Sequence, residues 1–220
     1  NYSYLGEKMK RALTDIDLVG YSRQRDDIIS LFRKLGYTYD FSTHLETALL
    51  GGRLIFWRKD NSKLHVDIFL DKLQMCHTID FKGRLEPEEK TIPLAEMFLE
   101  KVQIVNMAEK DVKDTIMLLR EHDVSPSDEE AVNIEYIAGL LAKDWGFYYT
   151  VSQNLQKIVQ ALDGYDVLTS EDKDDVRKKM SIISEAIEKR PKSVGWKIRA
   201  KVGPKVKWYQ EVEVAERHSI

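Results

Sequence analysis

The sequence predicts an α+β fold: a small mixed β-sheet packed with helices, followed by an α-helical C-terminal domain. Three observations carry this. Lys63 to Asp71 alternates strictly, with Leu64, Val66, Ile68 and Leu70 on one face, which is the period of a half-buried strand. From Leu94 onward the apolar residues recur at helical spacing instead. Between the two patterns of helix lies the polar run from His122 to Glu130, containing Ser125-Pro126-Ser127-Asp128, which reads as a linker. The expected domains are therefore residues 1–122 and 128–220.

The elements follow in order. Tyr2 to Leu13 has only a weak pattern, a short helix or an entry loop. Asp15 to Val19 is a short strand ended by Gly20, and its alternation sends Ile16 with Val19 or Leu18 into the core. Ile28, Ile29, Leu31, Phe32 and Leu35 give a helix over Ser22 to Leu35, stopped by Gly36. Tyr37 to Phe41 is a short strand. Ser42 to Leu50 is ambiguous and Gly51-Gly52 punctuates it. Arg53 to Arg58 and Lys63 to Asp71 flank the turn residues Asp60-Asn61-Ser62 and form a hairpin. Cys76 to Phe81 is a further strand. Helices are expected over Leu94 to Met107, Lys110 to Glu121, Asn133 to Lys143 and Trp145 to Leu162. A last long helix, capped by Ser170, runs to about Arg190, where Pro191 stops it.

Composition narrows the class. Hydrophobic residues make 43% and charged residues 32% of the 220, enough to build a core and too apolar for a disordered chain. No window approaches the ~18 apolar residues of a membrane span. The single cysteine, Cys76, has no internal partner, and Asn1 to Arg11 is polar, so the expected location is the cytoplasm. The net charge of −3 means that an anionic partner has to be met by a local patch. The chain begins at Asn1 rather than at methionine, and the natural protein is expected to start further upstream.

The chemistry-bearing residues concentrate in the first strand. Asp15 and Asp17 lie two residues apart and project from one face of a strand, where like charges repel. Such a pair is either solvated or held by a hard cation such as Mg²⁺. Asp67 sits mid-strand on the non-core face of the hairpin, with His65, Phe69 and Asp71. It converges with the pair if the two strands are neighbours. Lys101 falls near the centre of the apolar stripe formed by Leu94, Met97, Phe98 and Val105, so its amine either snorkels out or has a charged partner. Glu109, Asp111 and Asp114 suit the start of the next helix.

In this order the residues resemble a known family. Leu13-Thr14-Asp15-Ile16-Asp17, followed by helix, hairpin and His65-Val66-Asp67-Ile68, resembles the nucleotidyltransferase superfamily of the polymerase-beta type. Pro93 to Lys101 and then Lys110-Asp111-Val112-Lys113-Asp114 are similar to the branch that includes the abortive-infection type IV toxins. The resemblance covers roughly Leu13 to Glu121. It departs at one point: the Gly-Ser or Gly-Gly helix start that receives the triphosphate in these enzymes is missing ahead of Asp15. Either that start lies upstream of Asn1, which is the expectation, or it has been lost.

What the resemblance implies is Mg²⁺-dependent transfer of a nucleoside monophosphate from a nucleoside triphosphate to an acceptor hydroxyl. Asp15, Asp17 and Asp67 are then the catalytic metal ligands, Lys101 binds the phosphates, and Asp111 or Asp114 orients Lys101 or the nucleotide. A toxin-like enzyme would act on an RNA, tRNA or protein acceptor and answer to an antitoxin. The alternative is an inactive relative that keeps the fold as a binding or assembly module. The tail from Lys189 to Trp208, with eight Lys or Arg, no acid and Trp196, Trp208 and Tyr209 alongside, reads either as an RNA contact or as a basic final helix packed by its tryptophans.

Overall fold

The computed structural model describes residues 4–10, 16–40, 52–58, 65–87 and 90–211. The chain is α+β, with small mixed sheets and helices. It divides into two compact units, one of residues 10–74 and 78–93, the other of residues 1–9, 75–77 and 94–220. The division at Pro93 and Leu94 replaces the boundary expected at 122–128. The 122–130 segment is not a linker. It holds two short parallel strands, Asp123–Ser125 and Ala131–Asn133, and Ala131, Val132 and Asn133 are all buried.

The first unit is built on a four-stranded sheet. Its strands are β1 (Ile16–Gly20), β2 (Tyr37–Tyr39), β3 (Arg53–Arg58) and β4 (His65–Leu70), in the order β1-β4-β3-β2. The expected hairpin forms: β3 and β4 run antiparallel, with Phe56 opposite Val66 and Leu54 opposite Ile68. β1 lies parallel to β4 at the sheet edge. The alternation of β4 puts Val66, Ile68 and Leu70 into one cluster with Leu54, Phe56 and Tyr39. Helix α2 (Arg25–Lys34) covers that cluster with Ile28, Ile29 and Phe32, whose ring stacks on Phe56 at 4.5 Å. Two residues expected in the core are not there. Ile16 and Leu18 are 43% and 40% exposed, because α2 packs over the inner strands and β1 is an edge.

Asp71 turns the chain out of β4 with a φ of 63° and its carboxylate accepts the Ser22 N–H at 2.9 Å. That bond secures the 3₁₀ turn Ser22–Gln24 between β1 and α2. Strands Lys72–Gln74 and Thr78–Asp80 then pair antiparallel. The turn residues 60–62 of the expected hairpin, and residues 41–51, lie outside the described residues.

The second unit is helical. Its main elements are α1 (Tyr4–Lys8), α3 (Leu94–Val102), α4 (Glu109–Glu121), α5 (Ile134–Leu141), α6 (Trp145–Ala161), α7 (Ser170–Lys189) and α8 (Val194–Val202). Short polar side chains start the later four by accepting backbone N–H groups that have no helical partner. Asn133 starts α5, Asp144 α6, Thr169 α7 and Ser193 α8. The cap of α7 is thus Thr169, one residue before the expected Ser170. Phe98, Leu99, Val102, Ile116, Ile137, Val151, Ile158 and Ile183 are essentially solvent-free and make the core of this unit. Buried Asn154 in α6 donates to the carbonyls of Val102 (2.9 Å) and Ile104 (2.8 Å), which closes α3 at Val102 rather than near Met107. Among the described residues no helix is long and apolar enough to cross a membrane.

Candidate functional site

The parallel pairing of β1 with β4 sets Asp17 directly opposite Asp67. Register partners on adjacent strands project to the same face, about 4.8 Å apart along the sheet. The convergence of these two strands, expected from sequence, is therefore present for Asp17 and Asp67. Asp15, the first member of the expected set, lies outside the described residues.

The two aspartates sit in different surroundings. Asp17 is exposed, whereas Asp67 is only 4% exposed. The polar face expected for Asp67 is a covered one. Its register partner on β3 is the buried Ile55, and Arg53 reaches across to it from two residues earlier on the same strand. The Arg53 guanidinium donates to Asp67 Oδ2 through one nitrogen. His65 Nε2 lies 3.9 Å from the same oxygen, and its ring packs on Trp57 with centroids 4.8 Å apart. Among the described residues, Asp67 Oδ1 and Arg53 Nε are both buried without a hydrogen-bond partner. A buried polar atom left in this way costs about 1–3 kcal/mol, a cost that a bound water, ion or ligand would remove.

Arg53 is a neighbour of Asp67 that the sequence does not point to. On β3 it reads as the first residue of an aromatic strand. It faces Asp67 only once the register is known, and the turn that sets the register is not readable from Asp60-Asn61-Ser62 alone.

Lys101 and Asp111 belong to the helical unit, and each has a local partner there. The Lys101 amine lies 3.2 Å from Asp114 and its side chain is 33% exposed, so it leans out of the apolar stripe toward α4. A double-mutant cycle with Lys101→Ala and Asp114→Ala is expected to give a coupling below about 1 kcal/mol in urea unfolding, as for other half-exposed pairs. A larger value would assign the pair a greater structural role. Asp111 is buried, accepts the Ala108 N–H at 3.2 Å, and its backbone carbonyl receives the Thr115 hydroxyl at 2.8 Å. These are the bonds of a helix start.

The aromatic residues of the basic tail are packed rather than presented. Trp196 meets Tyr148 edge-on at 5.1 Å, and Trp208 meets Tyr149 at 5.0 Å and donates to Thr150. Arg199 lies over the Trp145 ring and donates to the carbonyls of Gly203 and Val206.

Among the described residues no three His, Cys, Asp or Glu side chains form a metal-holding group. The described part of the expected set is the pair Asp17 and Asp67. Its oxygen-only chemistry, together with the unpartnered Oδ1 of Asp67, fits a hard divalent cation. Comparison with family models, with curated proteins and with solved structures finds no match to this chain.

Proposed function

We propose that the protein is a Mg²⁺-dependent nucleotidyltransferase. The single observation that carries the reading is the register of β1 on β4, which sets Asp17 beside an Asp67 whose Oδ1 is buried and unpartnered. Asp17 on β1 and Asp67 on β4, with Asp15 just ahead of β1 in the sequence, would hold the cation. Bound Mg²⁺ supplies positive charge for the nucleotide phosphates. Asp67 Oδ1 accepts the proton of the acceptor hydroxyl, whose oxygen attacks the α-phosphorus, and pyrophosphate leaves. RNA ends and protein hydroxyls are the acceptor classes to assay. An antitoxin would be the natural partner of a toxin-like enzyme.

One observation favours the second reading, an inactive binding or assembly module: Asp67 Oδ2 is already engaged by Arg53. Thermal unfolding with each nucleoside triphosphate separates the two. For the enzyme, ligand at 100 times its Kd adds about 2.7 kcal/mol, a rise in Tm of several degrees. Asp17→Asn combined with Asp67→Asn is expected to abolish the rise. No shift with any of the four triphosphates would leave the binding-module reading in place.

A further inference from the structure

We propose that Arg53 is the phosphate-binding latch of this site: a divalent cation and the Arg53 guanidinium compete for the Asp67 carboxylate, and the displaced guanidinium receives the phosphates of a metal-bound nucleoside triphosphate. The inference rests on the nucleotidyl-transfer reading and assigns it a residue that neither the motif nor the resemblance supplies. It begins from a mismatch. Arginine and a carboxylate pair best fork to fork, through two parallel bonds. Here, among the described residues, a single guanidinium nitrogen meets Asp67 Oδ2, while Arg53 Nε and Asp67 Oδ1 are both buried without a partner. The contact leaves one donor and one acceptor unmet at the same place. A hydroxyl or water could bridge the two, but a ligand that brings a cation for the carboxylate and an anion for the guanidinium matches both charges as well. A metal-bound polyphosphate brings both together.

The two partners also differ in their freedom to move. The Asp67 side chain is 6% exposed and held mid-strand, whereas that of Arg53 is 28% exposed and starts its strand. The guanidinium also lies over the Phe69 ring, 5.4 Å from its centroid, an attraction that does not depend on the carboxylate. Arginine suits the role because its planar fork matches phosphate oxygens and its charge is permanent. The other cation expected at the phosphates, Lys101, is paired with Asp114. Because the cation and the guanidinium share one carboxylate, metal and triphosphate binding reinforce each other, and the coupling is reciprocal.

The test uses the full chain and two separate titrations. Mn²⁺ alone is followed by the loss of its free electron paramagnetic resonance signal. Triphosphate binding is followed by calorimetry in saturating Mg²⁺. Arg53→Gln removes the competing cation, so it is expected to bind Mn²⁺ alone at least tenfold more tightly than the parent. The same variant is expected to bind the triphosphate at least tenfold more weakly, and Mn²⁺ is expected to raise its Tm more than the parent's. Arg53→Lys keeps the charge without the fork and is expected to fall between the two. It carries both titrations if the glutamine variant does not fold. A glutamine variant with the parent's affinities in both titrations overturns the latch and leaves the nucleotidyl-transfer reading standing. A parent chain that binds no triphosphate overturns that reading and the phosphate role of Arg53 with it. A merely structural pair would show weaker binding of both ligands in the variants, and that pattern also rejects the proposal.

Discussion

Acidification from pH 6.5 to pH 4 is expected to remove about 3 kcal/mol of stability through His77 alone. His77 is 5% exposed, stacks flat on Phe147 with centroids 4.7 Å apart, and bonds through Nε2 to the Thr150 hydroxyl at 2.8 Å. Burial pushes its pKa from 6.5 to about 4, and the Asp144 carboxylate opposes the shift only in part. The unfolded chain takes up a proton below about pH 6.5, and the folded chain takes it up only near pH 4. Stability from His77 is therefore complete above the unfolded value, falls between 6.5 and 4, and is level below. His77→Gln keeps an acceptor near Thr150 and cannot titrate. Urea unfolding at stepped pH should show a steeper loss for the parent than for this variant within that window. Parallel curves would reject the assignment.

The second large effect is at Gly146, and it runs against local propensity. Gly146 is the second residue of α6, where alanine in a free helix would be favoured by about 1 kcal/mol. A Cβ at this position meets the Trp208 carbonyl oxygen inside contact distance, and Trp208 Cβ at 3.3 Å. The chain at 208–210 lies close over α6. Trp208 Nε1 donates to Thr150 at 3.0 Å and the Gln210 N–H donates to the Cys76 carbonyl at 3.0 Å. Backbone cannot rotate aside as a side chain can, so Gly146→Ala must push this segment away. It is expected to destabilise by about 2–3 kcal/mol in urea unfolding, with a change in tryptophan fluorescence as Trp208 loses its contact. A gain in stability would show that the segment yields at no cost.

Much of the local structure was legible in the residues. The period of two in Val66, Ile68 and Leu70 identified the core face of β4, and the helical spacing after Leu94 located the start of α3 and both ends of α4, α6 and α7 to within about a residue. These patterns are readable because they depend on side-chain direction within one element. The environment of Asp67 was not legible. Alternation assigns it a face, but burial depends on what covers that face, and Arg53 reaches it from another strand. For Lys101 the sequence offers Asp111 or Asp114 as a partner, and only the packing of the two helices selects Asp114. The boundary at 122–128 failed for a related reason. Polar composition signals exposure and does not exclude pairing, and this segment pairs as two parallel strands.

By itself, the sequence determined the fold class, the hairpin of β3 and β4, and the candidacy of Asp15, Asp17 and Asp67. Each of these follows from residue type and short-range period. Only the tertiary structure decided that Asp17 stands beside Asp67, that Arg53 engages Asp67, that Ile16 and Leu18 stay exposed at an edge, and that α3 and α4 join the helical unit. These depend on strand register and on which faces meet, and both are set by contacts between residues far apart in the chain.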